Sequence, residues 1–300
     1  MFYTFLAWQS MFPFINPKTD FAFKKIFGSP QNKDILISFL NAMLYEGAAT
    51  IQDLTLLDPY QAPPVKGIKE SFLDVKATLS TGKTVIIEMQ VLNVLGFKKR
   101  VLYNAAKALS TQLTAGDDYN LLNPVIALTI TDFEMFEQSD KVVSRYRLKE
   151  KDELTDYSDD IELVFAELPK FQKNVDELES LTDKWLYFLK EANHLEAIPD
   201  RLSQEPAIQN AFEVARQSLL TRDEMETLDR QAMFINDSRN AVLLGIEQGI
   251  EQGIEQGIEQ GERKAQIAIA RSLLTDLPVE KISEKTGLSI REIERLRAAE

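Results

Sequence analysis

The sequence contains no cysteine and only one histidine, and these two absences exclude whole classes of site. Without cysteine the chain can form neither disulfides nor thiolate metal centres, which fits a reducing compartment, so we expect a cytoplasmic protein. A single imidazole, that of His194, cannot supply a cluster of histidine ligands. The 47 aspartates and glutamates are therefore the only metal ligands that the sequence offers in quantity.

The sequence also lacks a long uninterrupted apolar run. Its N-terminal stretch, MFYTFLAWQS, is apolar but too short to span a bilayer, and it has neither the basic start nor the cleavage site of a signal peptide. We therefore expect no association with membranes. We interpret residues 1–12 as an N-terminal extension, and packing of its aromatic residues on the core is the alternative.

Positive charge is scarce, and the formal net charge is −13. The imbalance is uneven, because residues 1–130 hold 12 basic and 10 acidic residues whereas residues 131–300 hold 22 and 37. Attraction to phosphate is local and falls off within about 10 Å at ordinary salt. A basic rim can therefore operate on an acidic protein, although ordinary solvated surface lysines would give the same counts.

A β-hairpin is predicted from two segments of mixed alternation, Phe72–Leu79 and Thr84–Val91, which flank a turn containing Gly82. Because strand side chains repeat every two residues, Glu88 and Gln90 project from the same face.

A loop centred on Thr81 would place Asp74 opposite Glu88 in this hairpin. Two acids that face each other within apolar strands repel, so a compensating cation is needed. Carboxylate oxygens suit Mg²⁺, for which Mn²⁺ can substitute, and the pattern therefore predicts a site for a divalent metal.

The order of an aspartate, a short turn and Glu-x-Gln resembles the core motif of the PD-(D/E)XK nucleases, with Gln90 where that motif usually has lysine. Two further segments, NPKTDFAFKKIFG (residues 16–28) and ELPKF (residues 167–171), resemble a bacterial family of recombination-promoting nucleases and PD-(D/E)XK-type transposases. The resemblance extends from about Pro13 to residue 261. It implies an α/β fold with a restriction-endonuclease-like core, in which helices flank a mixed sheet, and a metal-dependent endonuclease that acts on DNA.

The resemblance also implies roles for individual residues. Asp74 and Glu88 would hold the metal, and Gln90 would orient the attacking water or a phosphate oxygen. Asp20, on the helix before the hairpin, is a candidate third metal ligand; stabilisation of the N-terminus of that helix is its alternative role.

A helix predicted at Phe97–Leu113 begins with a cluster of basic residues. Lys99, Arg100 and Tyr103 fall on one side of it at helical spacing, so we expect them to bind substrate phosphates together with Lys24. Packing of Tyr103 in the core is the alternative.

The C-terminal part contains four Gly-Ile-Glu-Gln repeats and a closing glycine, at residues 245–261. Glycine at every fourth position permits close contact between helices, so we expect a homodimer through this helix; a spacer of variable length is the alternative. We divide the chain into a nuclease-like domain with a helical cap (residues 13–236), the repeat helix (237–261) and a helical tail (262–300). That tail resembles a helix-turn-helix, although a partner-recognition element is an equal alternative.

Two other functions fit the same sequence. A nuclease fold that has lost catalysis could act as a DNA-binding or protein-interaction module, because an amide at position 90 cannot transfer protons. An RNA-directed nuclease would use the same site on a different substrate.

Overall fold

The structure, a computed structural model, describes residues 13–61 and 71–298. The predicted N-terminal extension lies outside these residues. The strands are β1 (Leu54–Leu57), β2 (Tyr60–Gln61), β3 (Ser71–Phe72), β4 (Val75–Leu79), β5 (Thr84–Gln90), β6 (Val125–Thr131), β7 (Val143–Lys149) and β8 (Asp156–Glu167). The helices are α1 (Asp20–Phe27), α2 (Lys33–Tyr45), α3 (Phe97–Ser110), α4 (Leu181–Glu191), α5 (Asp200–Ser203), α6 (Pro206–Val214), α7 (Arg222–Leu273), α8 (Val279–Thr286) and α9 (Ile290–Ala298).

Six of the strands form one mixed sheet in the order β1-β4-β5-β6-β8-β7. The central strands β5, β6 and β8 are parallel, and the outer pairings are antiparallel. Every residue of β6 is buried, as expected for a parallel strand covered on both faces. The order of strand, hairpin, helix and strand confirms the predicted α/β core, because α3 is the crossover that makes β5 and β6 parallel.

The two faces of the sheet carry separate apolar clusters, since strand side chains alternate between the faces. The larger cluster packs the helices α1, α2, α4 and α6 against one face, with Trp185 at its centre between Phe27, Phe39 and Phe188. The smaller cluster packs α3 against the other face, through Phe97, Val101, Ala105 and Ala108.

The hairpin has its turn at the predicted position. Val75 pairs with Ile87, so the turn is centred on Thr81. The ladder ends at this pair, and the Asp74 N–H donates to the Ile87 carbonyl, so the predicted pairing of Asp74 with Glu88 is not part of it.

Two boundaries differ from the prediction: β4 begins at Val75 instead of Phe72, and β5 ends at Gln90 instead of Val91. The residues that precede β4 leave the sheet because β3 pairs with β2 in a separate two-stranded ribbon.

A buried ion pair fixes the loop that follows β6. Both carboxylate oxygens of Glu167 are used: one accepts hydrogen bonds from the N–H groups of Met135 and Phe136, and the other lies 2.8 Å from Lys170 Nζ. Lys170 also donates to the carbonyls of Phe136 and Ser139, each at 2.7 Å. The ELPKF segment therefore has a structural role here.

The described residues form two compact units, one up to Asn236 and the other from Asp237. The second unit contains the C-terminal part of α7 together with α8 and α9, around a small core of Ala270, Leu274, Ile282, Leu288 and Ile293. Gly287 ends α8 with a positive φ of 72°, so the short helices meet at the predicted turn. None of the described helices combines the length and the apolar character that crossing a bilayer requires.

Replacing Lys170 with methionine should lower the free energy of unfolding by about 3–5 kcal/mol, because it leaves the Glu167 charge buried without a cation. Urea denaturation measures the change. Lys149→Met is the matched control, since Lys149 pairs with Asp156 at the surface and its loss should cost less than about 1 kcal/mol. Equal stability of the two variants would contradict the structural role of the buried pair.

Candidate functional site

A cavity of about 1150 Å³ opens beside the C-terminal end of β5. Seven of the eight residues that the sequence predicts for the site line it: Asp20, Asp74, Glu88, Gln90, Lys99, Arg100 and Tyr103. Glu88 and Gln90 share the sheet face that α3 covers, because they alternate with Ile87 and Met89 of the opposite cluster. Asp74 precedes β4 and lines the same cavity beside Lys24 of α1. The three polar side chains therefore line the same cavity.

Asp74 is held at the end of the hairpin by the backbone of the opposite strand. Its N–H donates to the Ile87 carbonyl at 3.2 Å, and its Oδ2 accepts from the Met89 N–H at 2.7 Å. Burial raises the pKa of Asp74 to about 7, although the bond from Met89 and the nearby Lys24 favour the ionised form. The carboxyl group thus lies where its charge is costly unless a cation approaches.

Glu88 is the most enclosed acid of the cavity. Asn104, one helical turn after Arg100 on α3, donates from Nδ2 to Glu88 Oε1. The other oxygen, Oε2, is buried, accepts no hydrogen bond and lies 3.7 Å from Arg100 Nη2. Burial raises the pKa of Glu88, and the charge of Arg100 and the bond from Asn104 offset this only in part.

Gln90 is fixed through both ends of its amide group. Its Oε1 accepts from Arg100 Nη2 at 2.5 Å, and its Nε2 donates to the Leu92 carbonyl at 2.8 Å. Arg100 therefore bridges Glu88 and Gln90, and its guanidinium also lies over the Phe97 ring at 4.9 Å. The amide at position 90 is a positioned group with no proton to transfer.

Asp20 and Lys24 approach Asp74 from α1, whose N-terminus is capped by the Thr19 hydroxyl. Lys24 Nζ lies 2.7 Å from Asp20 Oδ1 and 3.5 Å from Asp74 Oδ1. Burial would raise the pKa of Asp20, but the hydrogen bonds with Lys24, Asp74 and Gln231 and the charge of Lys24 together outweigh it and lower that pKa. Burial would likewise lower the pKa of Lys24, and the two acids raise it instead, so the lysine stays charged.

Two parts of the site were not predicted from the sequence. Asn104 is 2% exposed and contacts Glu88, and its spacing of four residues from Arg100 on α3 is the signal that could have identified it. The second part is one wall of the cavity, formed by Arg230, Gln231 and Phe234 of α7. No local pattern indicates this wall, because α7 follows the hairpin by more than 130 residues.

The donor atoms at the site fit a hard divalent cation. Glu88 Oε2 and Asn104 Oδ1 are buried oxygens that accept no hydrogen bond, which is costly without a partner. Within residues 13–61 and 71–298, no group of three acidic or histidine side chains could hold a metal ion. Two carboxylates with amide oxygens suit Mg²⁺, which keeps several waters. Asp20 instead bonds to Lys24, and its predicted role as a third ligand stays a prediction.

In a buffer that chelates metals, Asp74→Asn should gain stability over the wild type as the pH rises. The pKa of Asp74 is raised in the folded state, so its stabilising contribution is fully present below the ordinary value of 3.8 and is lost as the pH rises through about 7. The difference in the free energy of unfolding should grow by at most about 1.4 kcal/mol per pH unit, measured by urea denaturation.

Asp53→Asn is the control for this titration. Asp53 is exposed, and hydrogen bonding to Lys33 lowers its pKa, so its effect should not change over the same range of pH. A difference between Asp74→Asn and the wild type that stays constant with pH would contradict the burial of an ionisable carboxyl at this position.

Comparison with known proteins is consistent with this geometry. No curated protein and no solved structure matches the chain. The family model for the PD-(D/E)XK nuclease family transposases matches residues 17–244, which include the whole hairpin, α1, α3 and the N-terminal part of α7. Because the match covers most of the sequence, the chain belongs to the PD-(D/E)XK nuclease family transposases.

Proposed function

We propose that the protein is a metal-dependent endonuclease that hydrolyses phosphodiester bonds of DNA. Membership of the family supports a nuclease of the hydrolase type. The observation that carries the finer proposal is the pair of buried carboxyl groups, Asp74 and Glu88, whose pKa values are both raised and which line one cavity. A buried oxygen of Glu88 without a hydrogen-bond donor is the place where a cation would be most favourable.

Asp74 and Glu88 would hold Mg²⁺ or Mn²⁺ through their oxygens. When bound, such a metal polarises the scissile phosphate and lowers the pKa of a water molecule. Asn104 keeps the Glu88 carboxylate in place, and the Met89 N–H does the same for Asp74. Gln90, fixed by Arg100, would orient the water or a phosphate oxygen.

Lys24 would supply the positive charge that Gln90 lacks. Its ammonium group lies 3.5 Å from Asp74 and stays charged, because both neighbouring acids raise its pKa. It reaches the acids from α1, whereas a lysine at position 90 would reach them from β5. The predicted contact of Lys24 with the substrate would then occur at the scissile phosphate itself.

The other basic residues of α3 would position the backbone of the substrate. Lys99, Arg100 and Tyr103 lie on one side of the helix and line the cavity. Arginine and lysine contact phosphates through charge, and a tyrosine hydroxyl adds a hydrogen bond. Tyr103 is 39% exposed, which favours the predicted contact with substrate over packing in the core.

A second candidate function is a nuclease fold without catalysis that binds DNA or a protein. The ion pairs of the metal-free protein favour it, because Lys24 and Arg100 already neutralise part of the charge of Asp74 and Glu88. In that case the acids and bases would form a structural network, and metal would add nothing. Cleavage assays separate the two functions.

The homodimer through residues 245–261 stays a prediction. The isoleucines of the repeats are each more than half exposed, between 53% and 59%, and the space above each of the repeat glycines is open. These residues form no apolar core of their own in the second unit, whose core begins at Ala270. A second copy packed along the Ile-Gly face would cover the exposed apolar surface.

Purified protein should nick plasmid DNA with Mg²⁺ or Mn²⁺, and Asp74→Ala should reduce the rate by at least about 100-fold because a ligand is lost. Asp74→Asn should do the same while it keeps an acceptor for the Met89 N–H. Asp53→Asn, at an exposed acid, is the matched control and should cleave at the rate of the wild type. Equal nicking by wild type and Asp74→Ala would contradict the role of Asp74 as a metal ligand and favour the non-catalytic module.

The role of Lys24 can be tested by moving the charge. Lys24→Gln should slow cleavage by about 10- to 100-fold, in the range typical of a positioned charge. Adding Gln90→Lys to that variant should restore most of the rate, since the ammonium group would then reach the acids from β5.

Lys33→Gln is the control for this experiment, because Lys33, on α2, pairs with the exposed Asp53. A double variant as slow as Lys24→Gln would show that the lysine acts through the structure of α1 and not through its charge.

A further inference from the structure

Exposed apolar side chains belong to the lining of the cavity. Phe72 and Phe234, which both line it, are 70% and 68% exposed, and Leu95 is fully exposed. Large apolar groups that stay in water on the wall of a cavity indicate a binding surface. These apolar side chains line the same cavity as the acids, so the cavity suits a ligand that has both charged and apolar parts.

Phe72 is held in its exposed position by contacts behind it. Its ring packs on Tyr60 with centroids 4.9 Å apart and an interplanar angle of 34°. Its backbone pairs with Tyr60 across the β2–β3 ribbon. Lys107, a buried lysine of α3, fixes that ribbon by donating to the Gln61 carbonyl at 2.7 Å and to Ser71 Oγ at 3.2 Å. The aromatic surface is therefore preorganised.

Phe234 lies on the wall that α7 contributes. This part of α7 is attached to α1 at two points: Glu224 pairs with Lys25 at 2.6 Å, and Gln231 Oε1 accepts from the Phe21 N–H at 3.1 Å. The cavity thus has an aromatic ring on the hairpin side and another on the α7 side, with the acids of the candidate active site in the same lining.

The charges of the cavity argue against recognition through phosphates alone. Its lining contains three acids, Asp20, Asp74 and Glu88, and four cations, of which Lys18 pairs with Asp132 at 3.1 Å. Duplex DNA is held mainly by many contacts to its phosphates and shows its bases only at the groove edges. Unpaired nucleotides expose base faces, which stack on aromatic side chains beside the cations that follow the backbone.

We propose that Phe72 and Phe234 form a stacking site for unpaired nucleobases, and that the substrate of this enzyme is DNA with a single-stranded stretch. Lys99 and Arg230, which line the same cavity, bind the phosphates of that stretch. The assignment of a substrate rests on the proposed nuclease function, whereas the binding of unpaired bases does not.

The test is a fluorescence-anisotropy titration of the full-length protein with labelled oligonucleotides of about 16 nucleotides. The same sequence is presented as a single strand, as a duplex and as a single strand of abasic sites. The titrations are run with EDTA and again with Ca²⁺, so that binding is measured apart from cleavage. We expect the single strand to bind at least about 10-fold tighter than the duplex or the abasic strand.

Phe72→Ala and Phe234→Ala should each weaken single-strand binding by about 5- to 150-fold and leave duplex binding unchanged, while Phe72→Trp should retain affinity. Tyr157→Ala is the matched control, since Tyr157 is 83% exposed and does not line the cavity. It should bind like the wild type.

Three results would overturn the proposal: no preference for the single strand in either buffer, binding of the abasic strand as tight as that of the intact strand, or unchanged binding by both alanine variants. If the wild type is dimeric in sedimentation and Phe72→Ala is monomeric, the exposed apolar residues of the cavity instead contact a second copy of the chain. If unpaired bases bind but no DNA is cleaved, only the nuclease function fails. If duplex is cleaved without any preference for single strands, only the stacking site fails.

Discussion

The burial of two carboxyl groups in one cavity is the constraint on which the rest of the site depends. Burial disfavours the ionised forms of Asp74 and Glu88, which line the same cavity. Groups from the neighbouring elements stabilise the ionised forms. The backbone of β5 donates to Asp74, Lys24 of α1 lies beside Asp74, and Asn104 and Arg100 of α3 lie beside Glu88. The contacts that hold the fold together here are thus the same ones that define the cavity.

This arrangement connects stability with function. A buried acid with an unsatisfied oxygen, such as Glu88, lowers the stability of the metal-free protein, and a bound cation would remove that cost. The buried pair of Glu167 and Lys170 differs, because hydrogen bonds satisfy both carboxylate oxygens and the lysine. The first arrangement leaves a place for a ligand, whereas the second only fixes a loop.

The sequence predicted those features that depend on local chemistry. Alternation and turn signals located the hairpin and the position of its turn. The start of β4 was misplaced because Phe72 pairs with a strand before the hairpin, and alternation does not show which partner a strand residue will have.

By itself the sequence determined that any metal site must depend mainly on carboxylates, since it has no cysteine and one histidine, and that Glu88 and Gln90 share a face. Only the tertiary structure decided which other groups surround them. Residues that are far apart in the chain come together there: Asn104 contacts Glu88, Lys24 lies beside Asp74, and α7 forms one wall of the cavity. Such contacts depend on how helices pack over the sheet, and the periodicity of a single segment specifies which of its faces is buried but not what covers that face.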